Sequence, residues 1–351
     1  MSGKEDSTGP RAPVPYHREA MLPQRALGAT LIAALLGCSG DADVAAAPDA
    51  ATGGGGPPAS AGHELVYHDG LELVLLVNAG LGGASSPPST EPSRLWAWDG
   101  ERWSVLDESG PPVRNLAGVA YDAGRDVLVI HGGTYSAELS YDDTWEWSQG
   151  GGWRQLEAPG PGVRDHTQMT YDAARGRIVL FGGQEDATSF PRDTWIWDGI
   201  EWESVATTGP PPRVHHAMHD DPVRAEVVLH GGHEPDAGDR GDTWAWNGAA
   251  WTELTPERAP RTHARMAFDE DLDGLVVVGG ASSGEPALVR RDDGWHPLEA
   301  AAGPGTRYLP GLTYDRRRHR LVLFGGGDPS SHELFADTWE FDDAAWEQRD
   351  P

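Results

Sequence analysis

The sequence predicts an all-β fold built from six similar units, each made of four short strands. Between residues 67 and 351 one pattern recurs: Tyr-Asp, an apolar run ending in a glycine pair, Asp-Thr-Trp, and a later Trp. The spacing is about 50 residues, and no convincing helical periodicity appears after residue 62. Units of this size cannot bury a core alone, so they must pack against one another. The first glycines of the pairs are Gly132, Gly182, Gly231, Gly279 and Gly325.

Each unit is interpreted as four strands in sequence order. In the third unit the first strand spans residues 164–171 and ends in an Asp-rich tight turn. The second, residues 178–181, is apolar without alternation, which predicts that both of its faces are covered. The third is Trp-x-Trp and the fourth begins at a further Trp. Because all 15 tryptophans of the chain fall in third and fourth strands, they are expected to pack one sheet against the next.

This pattern resembles the kelch repeat of galactose oxidase-like β-propellers. In the sixth copy it reads Tyr-Asp at 314–315, Val-Leu-Phe-Gly-Gly at 322–326, Asp-Thr-Trp at 337–339 and Trp346. The resemblance covers residues 63–351 and implies a six-bladed kelch-type β-propeller of four-stranded antiparallel blades, whose edges are protected by radial closure. The fifth copy departs from it: residues 288–291 replace Trp-x-Trp, so that blade is expected to be looser.

The amino-terminal part is interpreted as a targeting region. Residues 1–20 are expected to be a non-native or untranslated extension, with Met21 as the better start. Residues 21–37 resemble a lipoprotein signal peptide, because Arg25 precedes an apolar run too short to span a bilayer. The run ends in Leu-Leu-Gly-Cys, which resembles a bacterial lipobox and makes Cys38 the lipidated residue. Residues 38–62 then form the lipid anchor and a flexible linker rich in Ala, Gly and Pro.

Composition supports a protein of the bacterial cell envelope. The net charge is −28, which disfavours nucleic acid and anionic lipid headgroups as partners. The membrane contact is therefore expected to be the lipid anchor alone, and Ser39 after the cysteine favours the outer membrane. We expect a monomer. The single cysteine leaves no disulfide in the propeller, and a core of this size does not need one.

A set of histidines is the first candidate site. Aligning the repeats places His166, His215 and His263 at one position in three consecutive units. First strands lie near the axis of a propeller, so three imidazoles could meet there and bind zinc, copper or iron with a coordination position left open. His216, His233 and Glu234 would support them. The alternative is structural, because Arg-x-His belongs to the kelch consensus.

Acidic loops are the second candidate. Asp236, Asp239 and Asp242 recur at every third residue, and oxygen clusters suit calcium. Asp242, however, belongs to the Asp-Thr-Trp signature, where its side chain is expected to cap the loop through local hydrogen bonds.

Two functions therefore remain open. The first is a non-catalytic module that binds an envelope protein or a glycan through the long loops that follow the second strands, with no catalytic residues assigned. The second is a metal-dependent oxidase, lyase or glycan hydrolase that uses the histidines. The copper-radical chemistry of galactose oxidase requires a cysteine crosslinked to a tyrosine, and this chain has no cysteine after Cys38.

Overall fold

The computed structural model describes residues 55–78, 92–136, 139–254, 258–280, 287–300, 303–342 and 344–349. The described residues form strands, turns and loops without a helix. Six four-stranded antiparallel sheets surround one axis, so the chain is a six-bladed β-propeller, as predicted. None of the described residues forms a helix long and apolar enough to cross a membrane.

The first three blades contain these strands, from the axis outwards. Blade 1 is β1 Glu64–His68, β2 Leu73–Val77, β3 Leu95–Trp98 and β4 Trp103–Asp107. Blade 2 is β5 Gly118–Asp122, β6 Val127–His131, β9 Thr144–Ser148 and β10 Gly152–Leu156, with the small hairpin β7 Thr134–Ser136 and β8 Leu139–Ser140 inserted. Blade 3 is β11 Gln168–Asp172, β12 Arg177–Phe181, β13 Thr194–Trp197 and β14 Trp202–Ala206.

The other three blades repeat this order. Blade 4 is β15 Ala217–Asp221, β16 Glu226–His230, β19 Thr243–Trp246 and β20 Trp251–Leu254, with the hairpin β17 His233–Glu234 and β18 Gly238–Asp239 inserted. Blade 5 is β21 Ala264–Asp269, β22 Gly274–Gly279, β23 Leu288–Arg291 and β24 Gly294–Pro297. Blade 6 is β25 Gly311–Asp315, β26 Arg320–Phe324, β27 Thr338–Phe341 and β28 Trp346–Arg349.

The core lies between the blades, as the apolar second strands and the tryptophans predict. Between blades 2 and 3, for example, Val129 packs with Ile178 and Leu180, and Trp197 and Trp202 complete the cluster. Ile178 and Leu180 are fully buried because β12 is covered on both faces. The core clusters are thus formed jointly by neighbouring blades, which explains why one repeat cannot fold alone.

Among the described strands, none is exchanged between the first and last blades where the ring closes. All strands of blade 1 come from the amino-terminal end and all strands of blade 6 from the carboxy-terminal end, and β1 lies beside β25. At this seam the indole of Trp103 donates to Thr338 Oγ1 at 2.8 Å, and that of Trp98 donates to Glu340 Oε1 at 2.9 Å. Three other interfaces have the same Trp–Thr bond: Trp202 to Thr144, Trp251 to Thr194 and Trp295 to Thr243.

Thr338→Val is expected to weaken the propeller at its seam. Valine keeps the shape of threonine but leaves the buried indole N–H of Trp103 without its acceptor, at a cost of about 1–3 kcal/mol. Thr194→Val makes the same change at an interface that chain connectivity also holds. Urea unfolding followed by tryptophan fluorescence should show a lower free energy of unfolding for both variants, with the larger decrease for Thr338→Val. A smaller loss at Thr338 than at Thr194 would contradict noncovalent closure at blades 1 and 6.

Blade 5 is tied to blade 4 by an ion-pair network where the sequence lacks its Trp-x-Trp. Arg290 on β23 is 8% exposed, and it donates to Asp221 at 2.9 Å and to Glu226 at 2.7 Å, both on blade 4. Buried arginine thus supplies the cross-blade contact that an indole makes elsewhere, and the blade keeps four paired strands.

The ordered propeller begins a few residues earlier than predicted. Ser60 is 2% exposed, and its N–H donates to the carbonyl of Phe335 at 3.1 Å. Gly62 also bonds residues of two other blades. Residues 60–62 therefore belong to the ring, where the sequence suggested a linker as far as residue 62. The predicted signal peptide and Cys38 lie outside the described residues.

Candidate functional site at the propeller axis

The axis is closed at one end by six equivalent residues, here called the axial ring: Gly62, Leu116, His166, His215, His263 and Leu309. Each lies just before the first strand of its blade and has a positive φ, between 48° and 77°. Backbone hydrogen bonds of 2.7–3.0 Å join neighbours around the ring, including His166 N–H to the carbonyl of Leu116 and Gly62 N–H to that of Leu309. Histidine is one of the side chains that tolerate this backbone conformation better than most. The ring therefore has a structural reason for its histidines.

The three histidines of the axial ring do meet, but they pack as a plug. The rings of His215 and His263 stack with centroids 3.7 Å apart, and His166 meets His215 edge-on at 4.5 Å. All three are buried, and the space that His166 and His215 line together with Leu116 and Leu309 is too small for a water molecule. Stacked rings point their nitrogen lone pairs in parallel directions, so they do not converge on one ion. Among the described residues no group of three His, Cys, Asp or Glu is placed to hold a metal.

The proposed supporting residues lie apart from this plug. His216 is fully buried between blades and meets the ring of Phe181 edge-on at 5.7 Å. His233 and Glu234 lie on β17 at the surface, where His233 pairs with Asp239 at 2.8 Å and Glu234 pairs with Arg240. These contacts order the β17–β18 hairpin, and they do not orient an imidazole of the axial ring.

The calcium set predicted from Asp236, Asp239 and Asp242 is not assembled either. Asp242 accepts two hydrogen bonds from Arg213, at 2.7 and 2.8 Å, and a third from the Trp244 indole at 2.8 Å. Its oxygens are thus occupied by the protein. Asp236 is exposed on the hairpin, and Asp239 is engaged with His233.

Asp242 belongs to a buried clamp that corrects the loop-capping prediction. In this clamp an arginine that precedes the axial ring donates both to a Gly-Gly carbonyl and, through two nitrogens, to the Asp of Asp-Thr-Trp. Arg213 is fully buried. The arginine holds the pKa of Asp242 below its usual range, against the opposing effect of burial. The same clamp joins Arg114 to Asp143, Arg164 to Asp193, and Arg307 to Asp337.

Below the axial ring, charged residues from separate blades meet across the axis. Arg265 of blade 5 forms an ion pair with Glu64 of blade 1: its Nε donates to Oε2 at 3.1 Å, and its Nη2 lies 2.7 Å from Oε1. Gln168 of blade 3 donates to the same carboxylate at 3.1 Å. Burial raises the pKa of Glu64, and the attraction of Arg265 opposes that rise. These three side chains form a neutral layer beneath the histidines.

Beyond this layer the axis widens into a cavity of about 200 Å³ lined by the first strands of all six blades. The residues around its mouth include Asp69, Ala123 and Arg316, which lie in the turns between first and second strands. We call this side of the propeller the turn face. The side that carries the axial ring and the loops after the second strands is called the loop face. The sequence pointed to the loop face, whereas this cavity opens on the turn face.

Asp220 in this cavity was missed by sequence reasoning. It is 6% exposed, and its Oδ1 has no hydrogen-bond partner among the described residues. In the equivalent register the other five blades carry an aromatic ring: Tyr67, Tyr121, Tyr171, Phe268 and Tyr314. The signal available in the sequence was that the fourth copy alone has no aromatic residue at this position and reads Asp220-Asp221.

The loop face presents ordered acidic loops. In blade 3 the side chain of Asp186 accepts from the backbone N–H groups of Thr188 and Ser189, at 2.8 and 2.9 Å. Asp328 of blade 6 closes a similar turn. In blades 2 and 4 the small hairpins take this place. Apart from the clamp residues Asp193, Asp242 and Asp337, the described acids of the loops after the second strands of blades 3, 4 and 6 are Glu185, Asp186, Glu234, Asp236, Asp239, Asp328 and Glu333, beside Arg192 and Arg240.

Lowering the pH is expected to destabilise the propeller, because its buried histidines are neutral in the folded protein. Burial lowers the pKa of His263 to about 3. An imidazole with a depressed pKa stays neutral in the folded protein. Its contribution to the free energy of unfolding is intact above pH ~6.5, the pKa of histidine in the unfolded chain, and is lost as the pH falls towards its pKa in the folded protein. The cost approaches about 1.4 kcal/mol per pH unit for each such histidine. Wild-type unfolding free energy, measured in urea between about pH 7 and pH 5, should therefore decrease.

His263→Asn separates this effect from other titrating groups. Asparagine also tolerates the positive φ of 63° at this position, and it does not titrate. The variant should lose less stability on acidification than the wild type does. Parallel pH dependences for the two proteins would contradict a neutral, buried His263.

The fold and axis define a six-bladed β-propeller with one sealed end. Among solved structures the chain is similar to that titled "Structure of YjhT", with a TM-score of 0.63 and 13% sequence identity. The match covers 84% of this chain and 99% of that one. At this identity the likeness shows the fold alone. No family model matches the chain, and no curated protein matches it.

Proposed function

We propose that the chain is a non-catalytic binding module of the bacterial envelope that docks a basic protein on its loop face. The observation that carries this proposal is the set of pre-ordered acidic loops on that face. Ordered loops lose little conformational freedom on binding, and a negative face attracts a positive partner and speeds encounter. Because the axial ring seals the axis here, this side offers a surface more suited to a macromolecule than to a small ligand.

The kelch identity and the membrane anchor belong to the same proposal. Lipidation at Cys38 would attach the protein to the envelope, with the outer membrane as its destination. Residues 39–59 would then tether the propeller, so that the loop face could reach a partner beyond the lipid surface.

The test compares two triple variants of the full-length chain, one that loses charge on the loop face and one that loses the same charge at other exposed positions. Glu185→Gln, Asp236→Asn and Glu333→Gln together remove three charges from the loop face. Glu101→Gln, Glu201→Gln and Glu253→Gln remove three from other exposed positions as a matched control. Envelope proteins retained by each variant are compared at low and high salt.

The expected result is a partner held by the wild type and the control and weakened about tenfold in the loop variant, with release by salt. Equal retention by all three proteins would contradict the proposal. Retention of a neutral glycan that salt does not release would replace a protein partner by a carbohydrate one.

A further inference from the structure

The axial cavity on the turn face has the size of a small-molecule site. Its volume of about 200 Å³ exceeds the roughly 150 Å³ of a cavity known to admit benzene. It is smaller than sites for drug-sized ligands, which begin near 300 Å³. The layer formed by Glu64, Gln168 and Arg265 closes its inner end, so a ligand can enter only from the turn face. The cavity therefore selects a compact molecule about one ring in size.

The departure from the repeat places a carboxylate in this cavity. An aromatic ring at the position of Asp220 would fill space between blades 3 and 4, as Tyr171 does between blades 2 and 3, where its hydroxyl lies close to Gly124. Aspartate is smaller and leaves part of that volume open. Its backbone N–H is bonded to Thr170 Oγ1 at 3.2 Å, so the strand register is unchanged. Only the side-chain chemistry of this position differs from the other blades.

The neighbouring charges leave Asp220 as the uncompensated group of the cavity. Glu64 and Arg265 neutralise each other, and Arg316 at the mouth is shared between Asp69 and Glu270. The nearby carboxylates of Asp172 and Asp221 already have arginine partners: Arg175, Arg224 and Arg290. A buried carboxylate without a cationic partner is costly, and a ligand that brings a positive charge would remove that cost.

Aromatic rings complete the environment. Tyr67, Tyr171 and Phe268 line the same cavity, and ring faces attract cations, most strongly where water is excluded. His219 also lines it, and burial lowers the pKa of its imidazole, so the ring is neutral and does not compete for Asp220 as a cation. The rings and the carboxylate together favour an organic ammonium over a neutral or anionic ligand.

We propose that the axial cavity is a binding site for a small organic cation, a compact molecule with a primary ammonium group that donates to Asp220 Oδ1. The aromatic side chains around the cavity contact the body of the ligand, and the Glu64–Arg265 pair forms the floor. This site lies on the face opposite to the acidic loops, so it is independent of partner docking.

The test uses three probes of one shape and different charge on the full-length chain. Benzylamine, benzyl alcohol and benzoate are titrated by calorimetry and by ligand-observed NMR near pH 8. Benzylamine is expected to bind at least tenfold more tightly than benzyl alcohol, and benzoate is expected not to bind. Asp220→Asn keeps the shape of the side chain and should weaken benzylamine binding by about 10- to 100-fold, because a hydrogen bond to a charged group is lost.

Asp220→Tyr is the second variant, and it restores the residue type that other blades carry. It should fold, reduce the cavity and abolish binding of benzylamine and benzyl alcohol alike. Equal affinities for benzylamine and benzyl alcohol, or an unchanged affinity in Asp220→Asn, would overturn the proposal. So would failure of benzylamine, methylamine and putrescine to bind the wild type at concentrations up to about 10 mM.

Discussion

Asp242→Ala is expected to lower the free energy of unfolding by about 3–5 kcal/mol. The change removes the carboxylate that accepts two hydrogen bonds from Arg213 and leaves a fully buried guanidinium without its counterion. The indole of Trp244 loses its acceptor at the same time. Breaking a buried pair from one side costs far more than the pair contributes when intact, because the remaining charge stays desolvated. Chemical denaturation of the two proteins measures the loss.

A surface ion pair provides the control. Glu108 lies 3.3 Å from Arg94 with both side chains about half exposed or more, so Glu108→Ala should cost less than about 1 kcal/mol. The same experiment separates the clamp from the calcium hypothesis. Adding a chelator should leave the wild type unchanged if Asp242 holds Arg213. A loss of wild-type stability with chelator, restored by calcium, would contradict this assignment.

Asp220→Asn is expected to stabilise the propeller by an amount that grows as the pH rises from about 4 to about 7. Burial, with a smaller contribution from the charge of Asp172, raises the pKa of Asp220 to about 7, while the Ala173 backbone and Arg175 oppose the rise. Asp221 on the same strand acts in the same direction as Asp172. An acid with a raised pKa keeps its proton in the fold after the unfolded chain has lost it. The contribution of Asp220 to the free energy of unfolding therefore falls as the pH rises from about 4 to about 7 and then levels off.

The free energy of unfolding of Asp220→Asn is expected to exceed that of the wild type by about 2–4 kcal/mol near pH 8. The difference should be close to zero near pH 4, where the aspartic acid and the asparagine are both neutral. Unfolding in urea at both pH values measures it. Asp236→Asn, which removes an exposed carboxylate on the loop face, should change stability little at either pH. A gain at Asp220 that does not depend on pH would contradict a buried, unpaired carboxylate.

The fold was predictable because the residues that pack between blades recur at fixed positions in each repeat. The apolar second strands and the Trp-x-Trp third strands each face a neighbouring blade, so the pattern of residues 178–181 and of Trp195 and Trp197 specifies the sheets without reference to distant contacts. Ring closure was harder to predict from the sequence. The seam depends on contacts such as Trp103 with Thr338, which lie 235 residues apart in the chain.

The site was only partly predictable, because residue type does not reveal orientation. Alignment brought His166, His215 and His263 to one end of the axis, yet the stacking of His215 on His263 is a contact between blades that the alignment does not contain. The role of Asp242 was also misread, since its partner Arg213 lies in a different part of the repeat. In both cases the deciding contact is tertiary.

Asp220 shows the opposite case, in which the information was present in the sequence and was overlooked. Repetition emphasises what the six copies share, whereas a site on a repeated scaffold is found where one copy differs. Five copies have tyrosine or phenylalanine at this register, and Asp220 is the one charged residue among them. Comparing copies for differences would have identified it without a structure.

Docking of the partner on the loop face can be tested by site-specific photo-crosslinking in intact envelopes. A photoreactive residue is placed at exposed Ala187 in the loop of blade 3, or at Ile200, which is 81% exposed in a turn on the opposite face. We expect a discrete crosslinked protein from position 187, reduced by salt, and none from position 200. A discrete adduct from position 200 alone would contradict it and assign docking to the turn face.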